Sequence, residues 1–473
     1  MSLVNKIFKN TLWQVIIRIF NIIIGVLNLG LIARILGQTG FGFYTTIFAF
    51  LQMAMILVDF GLYLTLLREI STTKEKQEES RIINNIFTIR FFSSLLFLLA
   101  APIVIKLFPY DIIVQKGIIY FSLAFFFQSL ISTLTAVFAK HLVMPKVALT
   151  DTFSKLSYFI FLFYFFRKDI DLNSILLINS LIQGLAFLLL YFFLRKYVSL
   201  RFKFDFKYWR SIFYKTWPLA ITVVLNLIYF KVDTLILSAY HPPSEVGLYG
   251  APYRVLEVLT TFPHMFMGLI LPLFTAAYLA KNFKKLQNIW QHTFDFFSII
   301  SIGMIAGTWL ISTEAMKLLA GHEFILSGPI LNVLIVATAL IFFGTLFTYL
   351  VVALQAQKEI IKYFLFAALL GLLNYFIFIP RFSYWGAAYT TLFIEFLIVI
   401  FAYLVVRRHI ILKINFKVLG KSILAGAITF FSIWPWKDFN MFLTIVSFSF
   451  LYLFILYLSK AFNKEIIKEL LNK

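Results

Sequence analysis

The sequence predicts an all-α membrane protein of about fourteen transmembrane helices, in two pseudo-symmetric six-helix bundles plus two extra C-terminal helices. Three observations predict this fold class. Of the 473 residues, 61% are hydrophobic and only 13% are charged, which is too little charge to cover a soluble protein of this size. Apolar runs of about 20 residues, long enough to cross a bilayer, recur along the chain. A glycine-aromatic element near the start of the chain, at 41–44, recurs near its middle, at 246–249.

Fourteen apolar segments have the length of a membrane-spanning helix. They lie at about 11–36, 41–67, 82–108, 112–139, 147–166, 170–194, 212–240, 246–279, 289–312, 328–354, 359–380, 384–406, 419–434 and 440–459. The segment 419–434 is the shortest. The stretch 460–473 spaces its apolar residues as one face of a helix, which predicts a basic amphipathic helix lying on the membrane surface.

The Lys and Arg residues are distributed unequally over the predicted loops. With a cytoplasmic N-terminus, more than two thirds of the 42 fall on the cytoplasmic side and fewer than one fifth on the other. This asymmetry follows the positive-inside rule. It predicts a multi-pass protein of the cytoplasmic (inner) membrane with both termini in the cytoplasm. The net charge of +21 then faces anionic membrane lipids, and nucleic acid is not needed to explain it.

The longest cytoplasmic connector, 195–211, interleaves basic and aromatic residues, which predicts that it lies along the lipid headgroups and forms the hinge between halves. The internal repeat places similar glycine-aromatic elements at 41–44 and 246–249. Six spans separate the two copies, so both enter the membrane in the same direction. We therefore predict two bundles, 1–200 and 201–412, related by an axis along the membrane normal. The remainder, 413–473, holds the two extra helices and the amphipathic tail.

Charged side chains inside the predicted spans are costly to desolvate and by default indicate a functional site. A rise of about 1.5 Å per residue places Arg18, Asp59, Arg90 and Lys155 in one layer of the inner half, with Asp151 just below. One interpretation is a structural ion pair of Asp59 with Arg18 or Arg90. The other is that Arg18 and Arg90 bind an anionic headgroup, because guanidinium donors match phosphate oxygens in pairs.

A second group of charges lies in the outer half, on the hairpin 229–259. Lys231 and Asp233 precede its turn, whereas Arg254 and Glu257 follow it. Residues two apart point to nearly opposite sides of a helix, so Lys231 and Asp233 cannot both face the next span. Arg254 and Glu257 are three apart and share a face. Asp233 and Arg254 are therefore candidate partners, which would turn Lys231 elsewhere, toward a cavity.

The acids of the spans are candidates for coupling transport to an ion. A desolvated carboxylate favours binding a proton or a sodium ion. Asp59, Asp233, Glu257 and Glu395 are the candidate ion-coupling residues. The alternative for Glu395, and for Asp295 nearer the inner side, is that they are solvated or hydrogen-bonded groups with a structural role.

The sequence carries no motif for catalysis or cofactor binding. It has no phosphate-binding glycine loop, no Ser/His/Asp set and no cluster with metal-ligand spacing. Zero cysteines exclude disulfides and thiol nucleophiles. We therefore expect no catalytic residues, no cofactor and no metal.

Six blocks occur in order along the chain: ARILGQTGFGFYTTIFAF (33–50), DFGLYLTLLREIS (59–71), FKVDTLILSAYHPPSEVGLYGAPYRVLEVL (230–259), LPLF (271–274), ALQAQ (353–357) and NYFIFIPRFSYWGAAYTTLFIE (374–395). Together they resemble the polysaccharide flippases, the O-antigen (Wzx-type) and related transporters of the MOP exporter superfamily. The resemblance covers nearly the whole chain, and the block with EVGLYGAPYR is its most specific part.

This resemblance implies a flippase that moves polyprenyl-pyrophosphate-linked oligosaccharides to the outer face by alternating access. It also implies contact with polysaccharide-assembly proteins. Similar proteins bind the headgroup with cations in a cavity, and Arg18, Arg90, Lys231 and Arg254 are the candidate substrate-binding residues here. Only Arg254 lies inside a matching block.

Two other functions compete with this prediction. A cation-coupled multidrug exporter of the same superfamily would need acids in the first bundle, but the first span carries Arg18 and no acid. A membrane-embedded polymerase or glycosyltransferase would need a sizeable outer loop with acids and arginines, and the longest outer loop is only about 312–327.

Overall fold

The computed structural model describes residues 3–437 and 440–461, with side chains described outside 3–16, 56–57, 215 and 218–230. The described residues form α-helices and short 3-10 turns and contain no strand. The helices are α1 Leu3–Asp59, α2 Leu62–Thr72, α3 Lys76–Val104, α4 Ile112–Lys140, α5 Met144–Phe165, α6 Leu172–Leu194, α7 Phe206–Tyr240, α8 Pro243–Leu279, α9 Phe283–Ala320, α10 Ser327–Ala353, α11 Gln357–His409, α12 Lys417–Ile433 and α13 Met441–Leu458.

Two of these helices each contain a pair of predicted spans. Gly37 has φ 63° and ψ −176°, and this break divides α1 into 3–36 and 38–59. Ser383, with φ 51°, divides α11 in the same way. After the positive φ angles of Phe60 and Gly61, α2 continues the second predicted span. Each of the fourteen predicted spans therefore corresponds to a helical segment, and the all-α membrane fold is confirmed.

The composition of these helices suits a bilayer. In the part of the chain with described side chains, ten stretches are long and apolar enough to cross a membrane. Many large apolar side chains are exposed, such as Leu96 (68%), Leu269 (70%) and Phe450 (71%). Exposed apolar surface of this extent marks contact with lipid rather than water. The predicted amphipathic tail falls mostly on 462–473, outside the described residues.

Polar residues set several helix starts because the first backbone N–H groups of a helix lack partners within it. The Asp111 side chain accepts from the backbone N–H of Ile113 at 2.8 Å and begins α4. Asn282 accepts from the N–H of Lys285 at 2.9 Å and begins α9. Asn440 begins α13 in the same manner.

The chain divides into two compact units, Met1–Gly247 and Leu248–Lys473. In the first unit, the apolar core lies among α2, α3, α4 and α6 and includes Leu66, Ile86 and Leu134. α1 packs against α4, α5 and α7. The predicted division at 200 and 412 stays a prediction.

The second unit has two apolar cores. The larger one lies among α8, α9, α10 and α11 and includes Trp290 and Phe297. The smaller one joins α12 and α13 to α9. There, the Tyr452 hydroxyl donates to the carbonyl of Ile299 at 2.8 Å, and its ring lies against Gly303. Packing on α9 therefore holds the two extra helices in place.

Candidate functional site

Part of the predicted inner layer of charges lies on α1 and α5. The Asn21 amide donates to the Asp151 carboxylate at 2.8 Å, and Lys155 binds the same carboxylate at 3.1 Å. Thr152 donates to the Asn21 side-chain oxygen at 2.8 Å. Arg18 lies three residues before Asn21, on the same helix face, and is exposed. The exposed Arg18 side chain therefore lies beside a polar, partly buried network.

Arg90 pairs with Asp59, as one of the two sequence interpretations predicts. The Arg90 side chain is 1% exposed, whereas that of Asp59 is 32% exposed. The guanidinium also donates to the Ser129 carbonyl and the Thr133 hydroxyl, both at 3.4 Å. A buried guanidinium with these partners cannot reach a headgroup unless the ion pair opens. The accessible member of the pair is Asp59.

Lys231 and Asp233 are both buried on α7, and the different orientation that their spacing predicts stays a prediction. The Lys231 ammonium lies 5.6 Å from the centre of the Phe48 ring on α1, a cation–π distance. Lys231 as a whole is only 4% exposed. Asp233 is fully buried, and its carboxylate accepts from the backbone N–H of Thr234 at 2.6 Å. Lys231 therefore turns toward α1, on an aromatic surface.

Arg254 and Glu257 form an ion pair at 2.6 Å on α8, so the predicted shared face is confirmed. Their side chains are 12% and 25% exposed. The predicted pair of Asp233 with Arg254 would join residues of different units and stays a prediction. Arg254 is thus held by an acid three residues away, and its charge is largely neutralised within its own helix.

The remaining acids lie among polar neighbours. Glu395 is 3% exposed on α11. One turn before it, the Thr391 hydroxyl lies 3.0 Å from that of Tyr375. Asp295 accepts from the Gln291 amide at 2.8 Å, which agrees with the hydrogen-bonded structural interpretation. Over the described residues, no three His, Cys, Asp or Glu side chains come together as a metal site would require.

The two repeated glycine-aromatic elements meet at Gly42 and Gly247. A Cβ on Gly42 would lie 1.7 Å from the carbonyl oxygen of Pro243, and one on Gly247 would lie 2.1 Å from that of Gln38. Any Cβ would overlap these atoms, so only glycine permits the approach. The kink of α1 and the turn that begins α8 therefore touch through their backbones. The charge distribution predicts that this contact is on the outer side.

Sequence reasoning missed two polar straps, in which side chains of a helix bind an extended connector. In the first strap (201–205), the backbone N–H groups of Arg201, Lys203 and Asp205 donate to Asn84, Thr88 and Asn85 of α3. Arg81 also binds Asp205 at 2.6 Å, and this hydrogen bond lowers the pKa of the Asp205 carboxyl below its ordinary value.

The second strap (413–415) binds α9 in a similar way. The Gln287 side chain exchanges two hydrogen bonds with the backbone of Lys413, and the Gln291 side chain exchanges two with the backbone of Asn415, at 2.7–3.1 Å. α3 and α9 are the third helical spans of their respective repeats. A sequence signal for both straps is the run of amide side chains on one face of each helix, near its predicted cytoplasmic end.

Two solved membrane transporters have a fold similar to that of this chain. Across 98% of this chain and all of the other, the fold is similar to "Lipid II flippase MurJ, inward closed conformation", with a TM-score of 0.77 and 16% identity. It is also similar to an inward-facing multidrug resistance MATE family transporter of the MOP superfamily. That match has a TM-score of 0.65 and 13% identity, and covers 87% of this chain and 95% of the other. The chain therefore shares its fold with a lipid II flippase and with a MATE family transporter of the MOP superfamily.

Residues 7–278 match the family described as polysaccharide biosynthesis protein, which is more than half of the chain. The chain belongs to this family. Residues 218–377 also match the MatE family. No curated protein matches the chain by sequence.

Proposed function

We propose that the protein moves a polyprenyl-pyrophosphate-linked oligosaccharide across the cytoplasmic membrane by alternating access. The observation that carries this proposal is the polysaccharide biosynthesis family match, which covers 7–278 and includes Arg18, Asp59, Arg90 and Lys231. The similarity to a lipid II flippase over nearly the whole chain supports it, because lipid II is itself a lipid-linked sugar.

Each predicted substrate-binding residue receives a role that its environment permits. Arg18 is exposed, so it contacts the pyrophosphate directly. Arg90 is a positioning residue that holds Asp59, because its own donors are buried. Lys231 and Arg254 contact the headgroup only after their present partners, Phe48 and Glu257, release them.

Ion coupling would use acids that change partner during transport. Asp59 and Glu257 are each bound to an arginine and remain about one quarter to one third exposed. A proton or sodium ion that neutralised either carboxylate would weaken its hold on the arginine. Asp233 and Glu395 are more deeply buried and would need an access route before they could exchange an ion.

Alternating access requires a contact that closes the outer side of the protein while the substrate binds from inside and that opens when the substrate is released. The approach of Gly42 to Pro243 supplies such a contact on the predicted outer side. The two backbones lie so close there that any movement of the turn away from the kink of α1 must separate them. We propose that this contact separates when the protein releases its substrate outward.

The test is transfer of a fluorescent polyprenyl-pyrophosphate oligosaccharide in proteoliposomes. The readout is the fraction that a membrane-impermeant lectin can reach, measured over time. Arg18→Ala should abolish transfer, because it removes the accessible cation. The matched control is Arg167→Ala, which removes an exposed arginine from a loop of the same unit. Full transfer by Arg18→Ala would contradict the assigned role, and no transfer by the unchanged protein would contradict the proposed function.

The MatE match at 218–377 favours multidrug export as a second candidate function. The same proteoliposomes loaded with a cationic dye distinguish the two. A drug exporter would move the dye in an ion-dependent manner and leave the lipid-linked sugar where it is. A glycan whose length changes during the assay would instead indicate a polymerase or glycosyltransferase.

A further inference from the structure

A cavity of about 460 Å³ lies between the two arms of α11. The break at Ser383 folds the helix back, so the residues near its two ends face each other. The lining consists of Glu359, Lys362, Tyr363, Phe366, Phe401 and Arg408. Its size falls within the range of ordinary small-molecule sites, about 300–1,000 Å³.

The cavity combines cations with an aromatic wall. Lys362 and Arg408 are exposed, and the Arg408 guanidinium lies 5.6 Å from the centre of the Tyr363 ring. The Phe401 ring packs against those of Tyr363 and Phe366, at 5.2 and 6.0 Å. Phe366 is 56% exposed, so this wall continues onto the lipid-facing surface.

The acid of the cavity is bound to a histidine rather than to either cation. The Glu359 carboxylate lies 2.8 Å from the His409 ring nitrogen. Within the described part of the chain, neither Lys362 nor Arg408 has an acidic group within 4.0 Å. The cavity therefore presents two available positive charges above apolar rings. A soluble anion would use the charges alone, whereas a phospholipid uses both the charges and the rings.

The charge distribution predicts that both ends of α11 lie at the cytoplasmic surface, where anionic lipids are found. We propose that this cavity binds the phosphate headgroup of an anionic phospholipid of the cytoplasmic leaflet. Lys362 and Arg408 hold the phosphate, Tyr363 orients the guanidinium of Arg408, and the acyl chains run along Phe366 and Phe401. The site is independent of the proposed substrate and of its transfer.

The test is native mass spectrometry of the full chain in detergent, titrated with phosphatidylglycerol or phosphatidylcholine. The unchanged protein should prefer phosphatidylglycerol. At about fivefold per cation near a membrane surface, Lys362→Ala and Arg408→Ala together should weaken its binding roughly 30-fold. The control is Lys284→Ala with Lys285→Ala, two exposed cations on the same predicted side. If the double variant does not fold, Lys362→Ala alone should still show the fivefold loss.

Three outcomes would overturn the proposal. The double variant could retain the full preference for phosphatidylglycerol. The control pair could lose as much binding, which would indicate general surface attraction. Inorganic phosphate could displace the lipid at equal concentration, which would indicate a site for a soluble anion. Arg408→Lys should bind more weakly than the unchanged protein, because a lysine keeps the charge without stacking on Tyr363.

Discussion

The close contact between Gly42 and Pro243, the first residue of α8, predicts that Gly42→Ala shifts the equilibrium between a closed and an open form of this contact. In Gly42→Ala, the added Cβ would lie 1.7 Å from the Pro243 carbonyl oxygen, whereas ordinary contacts begin at 3.4 Å. The turn would have to retreat by more than 1.5 Å. Overpacking of this kind costs about 1–3 kcal/mol. Since 1.4 kcal/mol changes an equilibrium tenfold, the closed contact should become roughly 5–150 times less populated relative to the open one.

The assay uses the absence of native cysteine from the chain. Thr45 is 4% exposed and lies three residues beyond Gly42, on the same face of α1. Thr45→Cys provides a single thiol of similar size, which a membrane-impermeant maleimide reaches only when the contact opens. The labelling rate should rise by the same factor in the Gly42→Ala background.

The matched control is Gly25→Ala in the first arm of α1, where an added Cβ meets no atom within 4 Å. It has the same effect on helix propensity, about 1 kcal/mol, without the overlap. Gly25→Ala should leave the labelling rate unchanged. Equal labelling of Gly42→Ala and the unchanged protein, at equal thermal stability, would refute the inferred close contact.

Three further predictions concern stability. Asp59→Ala should lower the free energy of unfolding by about 3–5 kcal/mol because it leaves the buried Arg90 charge unpaired, and a thermal melt in detergent that matches the unchanged protein would contradict this. Asn85→Ala should cost about 1–3 kcal/mol and speed hydrogen exchange at Asp205, whose backbone N–H it accepts; unchanged exchange there would exclude the strap. Arg81 lowers the pKa of Asp205, so the stability from this pair is full above about pH 4 and is lost as the pH falls through the lowered pKa. Melts of the unchanged protein and Asp205→Asn should therefore converge below pH 4.

The sequence could predict the helices because their signal is local. An apolar run of bilayer length requires a helix whatever it packs against, since backbone groups in lipid have no other partners. Even the short segment 419–434 appears as α12 (Lys417–Ile433). The sequence did not predict the geometry of the breaks between paired spans. Gly37 and Ser383 turn the chain through single residues with positive φ, so helix pairs follow one another with almost no loop.

The sequence could predict a single partner for a charged side chain only within one helix. The three-residue spacing of Arg254 and Glu257 fixes a shared face, and the ion pair followed from it. The choice of Arg90 rather than Arg18 as the partner of Asp59 depends on how α3 packs against α1, which no local pattern encodes. For the same reason, burial separates the two arginines: one is enclosed by Ser129 and Thr133, and the other remains exposed.

The straps bear on how the predicted hinge could work. The sequence predicts that the connector 195–211 bends between the halves. Within it, however, every second backbone N–H group from 201 to 205 donates to a side chain of α3. Bending there would break these bonds and leave Asn84 and Asn85 without their partners. Any hinge in this connector must therefore act outside 201–205. The second strap fixes 413–415 to α9 by equivalent chemistry, so in both repeats the third span is bound to the connector that follows the sixth span. We therefore expect bending during a transport cycle to occur outside 201–205 and 413–415.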